Sequence, residues 1–369
     1  MMGVKGSYRK LAAANIKRTQ QYVRKIEELL NASTARFIEL ATSVEYDREN
    51  GQFYFDDYPE IKREADRVAS NLARGMEIAI IRGTTAEWTR GSKDANGIIE
   101  YVLSAVGIKS TKDLKSDVIG KYLNNHEGAL KAFQRRKIGG LQLSAKVWDL
   151  AKLTKIESEL ARSIAEGTSA AKVASSMKEL LKRPNELYRR VRDEFGELHL
   201  SRRAAGYHPG NGVYRSSYKN ALRLARTEIN MAYRSAEWES YQDKDYVVGF
   251  EIHRSNTEYD CDVCEQLAGK YPKDFVWSSW HPNCRCYMTP ILITDEEMDS
   301  RSDAIISGES FDSTRSENYV GDVPENFKRW SLENAGRIEA AMQRDTIPYF
   351  VRDNIEYVRE SMYPNDSDT

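Results

Sequence analysis

The stretch Cys261–Cys286 reads CDVCEQLAGKYPKDFVWSSWHPNCRC, and it holds all four cysteines of the 369-residue chain together with His281, one of only five histidines. Cys261 and Cys264 form a C-x2-C pair. One loop later His281 and Cys284 form an H-x2-C pair, with Cys286 two residues beyond. This is the spacing of a tetrahedral zinc site, in which each short pair bites the metal from one turn and the loop between the pairs is tied off. Gly269, Pro272 and Pro282 stand where the chain must reverse. Five donors compete for four positions: Cys261, Cys264, His281 and Cys284 are the preferred set, and Cys286 is the substitute for Cys284 or His281. Disulfides or buried free thiols are the alternative. The N-terminal MMGVKGSYRKLAAANIKRTQ has a basic start but no continuous apolar core. No secretory signal is expected there, and a chain folding in a reducing cytoplasm keeps its thiols. The stretch predicts structural Zn2+; it is a strong signal for metal and a weak one for chemistry.

Working outward, YVVGFEIHR from Tyr246 to Arg254 is β-branched and aromatic and reads as a strand, and Tyr287 to Ile293 reads as a second strand to pair with it. Ala221 to Tyr241 is a helix with a stripe of Leu224, Ile229, Ala232 and Ala236. The metal would staple this small sheet to that helix. The chain before it is helix-rich. From Tyr8 to about Val44, Ile16, Val23, Leu30 and Phe37 recur at heptad spacing, with Ile26 and Leu40 on the adjacent seam. A second stripe, Ile61, Ala65, Val68, Leu72, Met76 and Ile80, follows the turn-rich ENGQFYFDDYPE. A helical hairpin is favoured over an intermolecular coiled coil, the route by which the N-terminal helices would make an oligomer, because a sustained coiled coil needs more heptads.

Arg82 to Gly97 is interrupted by three glycines and reads as a connector. Short helices are expected at Ile98–Val106, Ser116–Leu123 and Ala129–Phe133, then a loop at Gly139 and Gly140. Leu143 to Ala165 carries Val147, Leu150, Leu153, Ile156, Leu160 and Ile164 on one side. Thr168 or Ser169 N-caps a further helix bearing Val173, Met177, Leu180 and Leu181, which stops before Pro184. Beyond Thr294 the acidic, serine-rich chain reads as a linker or flexible arm up to Asp322. VPENFKRWSLENAGRIEAAMQR then forms a capped helix with Phe327, Trp330, Leu332 and Ile338, and Pro348 to Phe350 begin a last helical segment. The expected fold is α+β and predominantly α-helical. Its regions are a helical 1–140, a knuckle-bearing 141–293, an acidic linker 294–322 and a short helical 323–369.

Composition is that of a globular chain, 40% hydrophobic and 30% charged with a net charge of −1, and no apolar run approaches the ~20 residues of a membrane span. The near-zero charge hides an asymmetry. Lys182 to Arg226 carries eleven Lys/Arg against four Asp/Glu, while Ile291 to Thr369 carries eight against eighteen. Within the basic segment Arg189, Arg190, Arg202 and Arg203 are interleaved with Tyr188, Tyr207, Tyr214 and Tyr218. That pattern suits a phosphate backbone, and equally a solvated helix face packed on an acidic neighbour such as the chain's own tail. On the first reading, the acidic arm covers the basic face until DNA competes it away.

Three pieces together resemble the phage Mu F-like minor head protein family, the head morphogenesis proteins: LARSIAEGTSAAKVASSMKELL, the Arg-Thr-Glu helix ARTEINMAY at Ala225–Tyr233, and CDVCEQLAGK followed by WHPNCRC. They span about Leu150 to Pro290, and the closing His-Pro-Asn-Cys-Arg-Cys box is the most specific. SSW stands where family members often carry two prolines before the histidine. The resemblance implies a structural head protein of a tailed phage, beside the portal in the head interior after assembly in the host cytoplasm, acting in head assembly and DNA packaging or ejection with portal and capsid proteins as partners; packaged double-stranded DNA is a partner on the phosphate-backbone reading of the basic segment. It implies no active site.

Two enzyme readings compete. A His-Asn-His nuclease needs a base and a metal-binding histidine together; His253 is the candidate base, but no histidine follows His281, and none of His126, His199 or His208 lies near it in sequence. A catalytic zinc leaves a coordination position open, whereas four of these five donors close it. A transferase or toxin-like activity would rest on an exposed Arg226 and Glu228, without a second carboxylate or a nucleotide-binding glycine loop. The chain is therefore expected not to be an enzyme.

Overall fold

The computed structural model describes residues 2–45, 53–105, 124–164, 191–192, 198–199, 216–255, 261–307, 311–344 and 346–363. The fold is α+β, helical in its N-terminal half and at its C-terminus, with a three-stranded antiparallel sheet between them in the sequence. The helices of the first half are α1 (Met2–Thr42), α2 (Pro59–Ala105), α3 (Glu127–Arg135) and α4 (Leu143–Ile164). A two-residue antiparallel pair, β1 (Val191–Arg192) and β2 (Leu198–His199), precedes α5 (Ser217–Gln242). Then come β3 (Val247–His253), α6 (Asp262–Gln266), β4 (Gly269–Tyr271) and β5 (Tyr287–Leu292). The chain closes with α7 (Asp295–Ser307), α8 (Glu325–Glu333), α9 (Ala335–Gln343), α10 (Tyr349–Arg352) and α11 (Ile355–Met362). Among the described residues no helix is long and apolar enough to cross a membrane.

Contacts gather the chain into two units that interleave along the sequence. One comprises Met1–Thr19, Thr84–Gln134 and Thr227–Thr369, the other Gln20–Gly83 and Arg135–Arg226. In the second unit the expected hairpin forms: Ile26, Leu30 and Phe37 of α1 share a core with Ala65, Ala69, Leu72, Met76 and Ile80 of α2, closed by Phe53 and Phe55 from the connecting turn. Gly139 and Gly140, at φ +56° and +81°, make the tight reversal that lets Ile138 N–H donate to Leu141 O at 2.7 Å. On α4 the buried face is rotated from the expected stripe. Ile156 is exposed, while Thr154 and Glu157 are buried because the start of α5 supplies polar partners, and Ser158 is buried with its hydroxyl donating to Thr154 O of the same helix at 2.9 Å. The Ser217 N–H and hydroxyl donate to Glu157 at 2.8 and 2.6 Å, so a carboxylate caps the helix N-terminus.

The other unit holds the sheet, ordered β4-β3-β5, with Phe250 opposite Tyr271 on one side and Pro290 on the other. The strands at Tyr246–Arg254 and Tyr287–Ile293 pair as expected, and β4 is an addition. Its core is aromatic: Tyr271, Phe275, Trp277, Trp280, Phe327 and Phe350 are all buried, with ring centroids as close as 4.5 Å for Tyr271 and Phe275. The SSW segment thus places Trp280 in this core, edge-on to Phe350 at 5.0 Å.

Three further expectations are corrected. Arg82–Gly97 is not a connector but the interior of α2. Gly91 is there because α5 passes too close for a side chain: a Cβ would lie 2.3 Å from Tyr233 O. Nor do the described residues of 294–322 behave as a flexible linker. Thr294 and Glu297 form a reciprocal capping box, with Thr294 N–H to Glu297 at 2.8 Å and Glu297 N–H to the Thr294 hydroxyl at 3.2 Å, which starts α7. Arg301 pairs with Asp245 at 2.7 Å, and Val320 N–H donates to Val248 O at 3.2 Å over Gly249, whose missing side chain admits Val320. The segment expected as one helix from Val323 to Arg344 is two, α8 and α9, and its Leu332 is exposed. Val351, Val358 and Met362 complete the same core, so the acidic C-terminal stretch is an integral part of this unit. The helices expected at Ser116–Leu123 and Val173–Leu181 lie outside the described residues.

Candidate metal centre

Cys261 precedes α6 in extended backbone, and its carbonyl accepts from Glu265 N–H at 3.0 Å, which winds Cys264 back toward it within one turn. Asn326 of α8 holds the other end of this helix, donating its amide to Gln266 O at 2.6 Å and Ala268 O at 2.8 Å. The closing pair is a turn in which Cys284 N–H donates to His281 O at 3.1 Å, with Asn283 in the left-handed region at φ +64°. Cys286 immediately precedes β5.

These elements bring all five expected donors together. Their donor atoms form two triads that share Cys264: Cys261, Cys264 and His281, and Cys264, Cys284 and Cys286. His281 Nε2 is 3.1 Å from Cys261 Sγ and 3.0 Å from Cys264 Sγ. Cys264 and Cys284 sulfurs are 3.9 Å apart. That is close to the ~3.8 Å edge of a tetrahedron with sulfurs at ~2.3 Å from an ion, and far beyond the ~2.05 Å of a disulfide bond. All four thiols are free. The tautomer fits as well. His281 Nδ1 is 2.8 Å from Pro282 O, which can only accept, so Nδ1 carries the proton and Nε2 presents its lone pair to the thiols. The cluster could hold a metal ion.

Thiolate character centres on Cys284. Hydrogen bonds from the Cys264 and Cys286 thiols pull its titration well down against the effect of burial, with Arg234 contributing. Cys264 is pushed up by its hydrogen bonds to Cys284 and Cys286 and by burial. Four thiols packed this closely cannot all ionise without a cation among them.

One face of α5 supports the loop that precedes and forms the closing pair. Thr227 Oγ1 accepts from Asn283 N–H at 3.2 Å, Arg234 donates to Cys284 O at 2.8 Å and Ser278 O at 3.3 Å, and Trp238 Nε1 donates to Phe275 O at 2.8 Å. Gln242 extends the series to Lys273 O at 2.9 Å. Spacings of seven, four and four residues keep these side chains on one stripe. Sequence reasoning reached Thr227 only as the middle of the Arg-Thr-Glu piece and missed Arg234. The available signal was hydrogen-bonding side chains at spacings of seven, four and four along one face of α5.

The remaining candidates are placed as follows. His253 Nε2 is 2.8 Å from Thr289 Oγ1 and Nδ1 is 3.8 Å from Glu251, with the ring on Tyr287. Glu228, expected to be exposed if it served a transferase, is buried. Arg189, Arg190, Arg202 and Arg203 lie outside the described residues. Comparison of the chain with family models, curated proteins and solved structures found no match.

Proposed function

We propose that this chain is a structural minor head protein of a tailed phage, associated with the portal and acting in head assembly and in DNA packaging or ejection, and that its Cys/His cluster holds one structural zinc. The observation that carries this reading is the joining of the two best-defined pieces of the resemblance, with Thr227 of ARTEINMAY accepting from Asn283 of HPNCRC and Arg234 holding Cys284. A helix and a knuckle that resemble one family separately are, in this fold, parts of one device. The donor set of thiols and one imidazole supports zinc, which takes such ligands tetrahedrally, and its five donors for four positions support a closed, non-catalytic site. The balance of eleven Lys/Arg against four Asp/Glu over Lys182–Arg226 supports contact with packaged DNA.

Mass spectrometry of purified virions and procapsids tests the assignment: the chain is expected in both, and its absence from both refutes the head reading. Elemental analysis of protein purified without added metal is expected to give close to one zinc per chain. A stoichiometric disulfide without metal refutes the zinc.

A further inference from the structure

We infer that Arg234 is the positioning residue of the metal centre, the side chain through which α5 fixes the closing half of the ligand set; this rests on the metal reading above. Arg234 is 3% exposed although it carries a permanent charge, and such a group stays buried only where its donors are used. They are used on the loop that carries the ligands. One arm of the guanidinium donates to Cys284 O at 2.8 Å and the other to Ser278 O at 3.3 Å, bracketing the segment that contains His281. The guanidinium carbon lies 5.6 Å from the centroid of the Trp277 ring, which limits its swing. Two carbonyls six residues apart are thereby pinned to a single rigid group on a long helix.

The consequence for the ligands is geometric and electrostatic. The Cys284 carbonyl orients that residue's own backbone, so holding it sets the direction of the Cα–Cβ bond and aims Sγ at Cys264. The fixed positive charge beside the sulfurs offsets the excess negative charge of thiolates gathered on a divalent ion in a buried place. Lysine keeps the charge but not the fork, and can reach only one of the two carbonyls well. Outer partners of this kind typically change metal affinity by roughly 10–100-fold.

The test uses the full chain as wild type, Arg234→Lys and Arg234→Gln. Zinc affinity is read by chelator competition, and the absorption of the cobalt(II)-loaded proteins is recorded at saturating cobalt. Arg234→Gln is expected to lose roughly 10–100-fold in zinc affinity and to shift the cobalt bands, with Arg234→Lys recovering part of both. A residue that only adds stability would lower the melting temperature and leave the loaded spectrum unchanged; that result, or unaltered affinity in Arg234→Gln, overturns the inference. If Arg234→Gln does not fold, wild-type affinity and spectrum in Arg234→Lys overturn it equally. Wild-type protein that binds neither zinc nor cobalt refutes the metal reading itself, which is a distinct outcome.

Discussion

Alanine at Gly91 and alanine at Gly97 are expected to change stability in opposite directions, although both replace glycine on α2. By propensity alone each substitution stabilises a helix interior by about 1 kcal/mol, since alanine loses less backbone freedom on folding. At Gly97 nothing lies within 4 Å of the added carbon, so the full gain of roughly 0.5–1 kcal/mol is expected. At Gly91 the added carbon would lie 2.3 Å from Tyr233 O and 3.1 Å from Ala236 Cβ. The first contact is backbone in the middle of α5 and cannot rotate aside. The helices must separate by about 1 Å to restore normal contact distances. That separation loosens the small core of Trp88, Leu130, Ala232 and Ala236. Overpacking of this kind costs about 1–3 kcal/mol, and an immovable partner puts it at the upper end, so Gly91→Ala is expected to destabilise by about 2 kcal/mol net. Urea unfolding followed by tryptophan fluorescence suits the measurement, because five of the six tryptophans (88, 238, 277, 280 and 330) belong to the unit that contains both glycines. Midpoints that move the same way in both variants refute the close-approach argument.

Burial holds the Lys244 ammonium down, from the usual 10.5 to about 8, with Asp243 opposing and Lys273 adding to the effect; its hydrogen bonds go to the neutral Asn96 Oδ1 and Ser240 O. The unfolded chain then binds the extra proton between pH 8 and 10.5, so stability should rise with pH across that window, by an amount on the order of 3 kcal/mol in total. Lys244→Met should reduce the rise to the part owed to Lys273, which burial also holds down, and be more stable than wild type at pH 7; a rise as large as that of wild type would disprove the assignment. Buried Glu87 accepts from Asn15 at 2.8 Å and from Arg18 Nε at 2.8 Å, so Glu87→Ala strands both donors and should cost about 3 kcal/mol or more in thermal or urea unfolding, with Glu87→Gln costing less. Cys264 belongs to both thiol triads, so Cys264→Ser should lose metal and stability together, whereas Cys286→Ser should keep most of both if Cys284 is the fourth ligand. Elemental analysis beside calorimetry reads both outcomes.

What was legible in the sequence was local. The hairpin of α1 and α2 follows from two apolar stripes, and the two long strands follow from β-branched runs, because each pattern is set by residues a few positions apart. What escaped depended on partners far along the chain. Gly91 looks like a helix breaker until Tyr233 is known to lie against it, and the polar positions Thr154 and Glu157 look solvated until Ser217 arrives. The acidic run after Ile293 was different in kind. Thr294-Asp-Glu-Glu297 is an S/T-x-x-E capping box, readable without the structure, and net charge outweighed it in the reading.

The candidate metal centre divides along the same line. Its five donors were legible as a cluster because each short pair needs only one turn to converge, so spacing encodes their approach. Its support was not, because a helix reads a loop through the loop's carbonyls, and a carbonyl leaves no trace in residue identity. Arg234 touches Ser278 and Cys284 only through their backbones, and Trp238 and Gln242 do the same to Phe275 and Lys273. Sequence can show only the other half of such a contact, the donors repeating along one face of α5. A helix that carries Arg234, Trp238 and Gln242 at helical spacing on an otherwise buried surface has its donors committed to acceptors elsewhere in the fold. In this unit the matching acceptors lie in the loop that brings His281 and Cys284 to the Cys/His cluster.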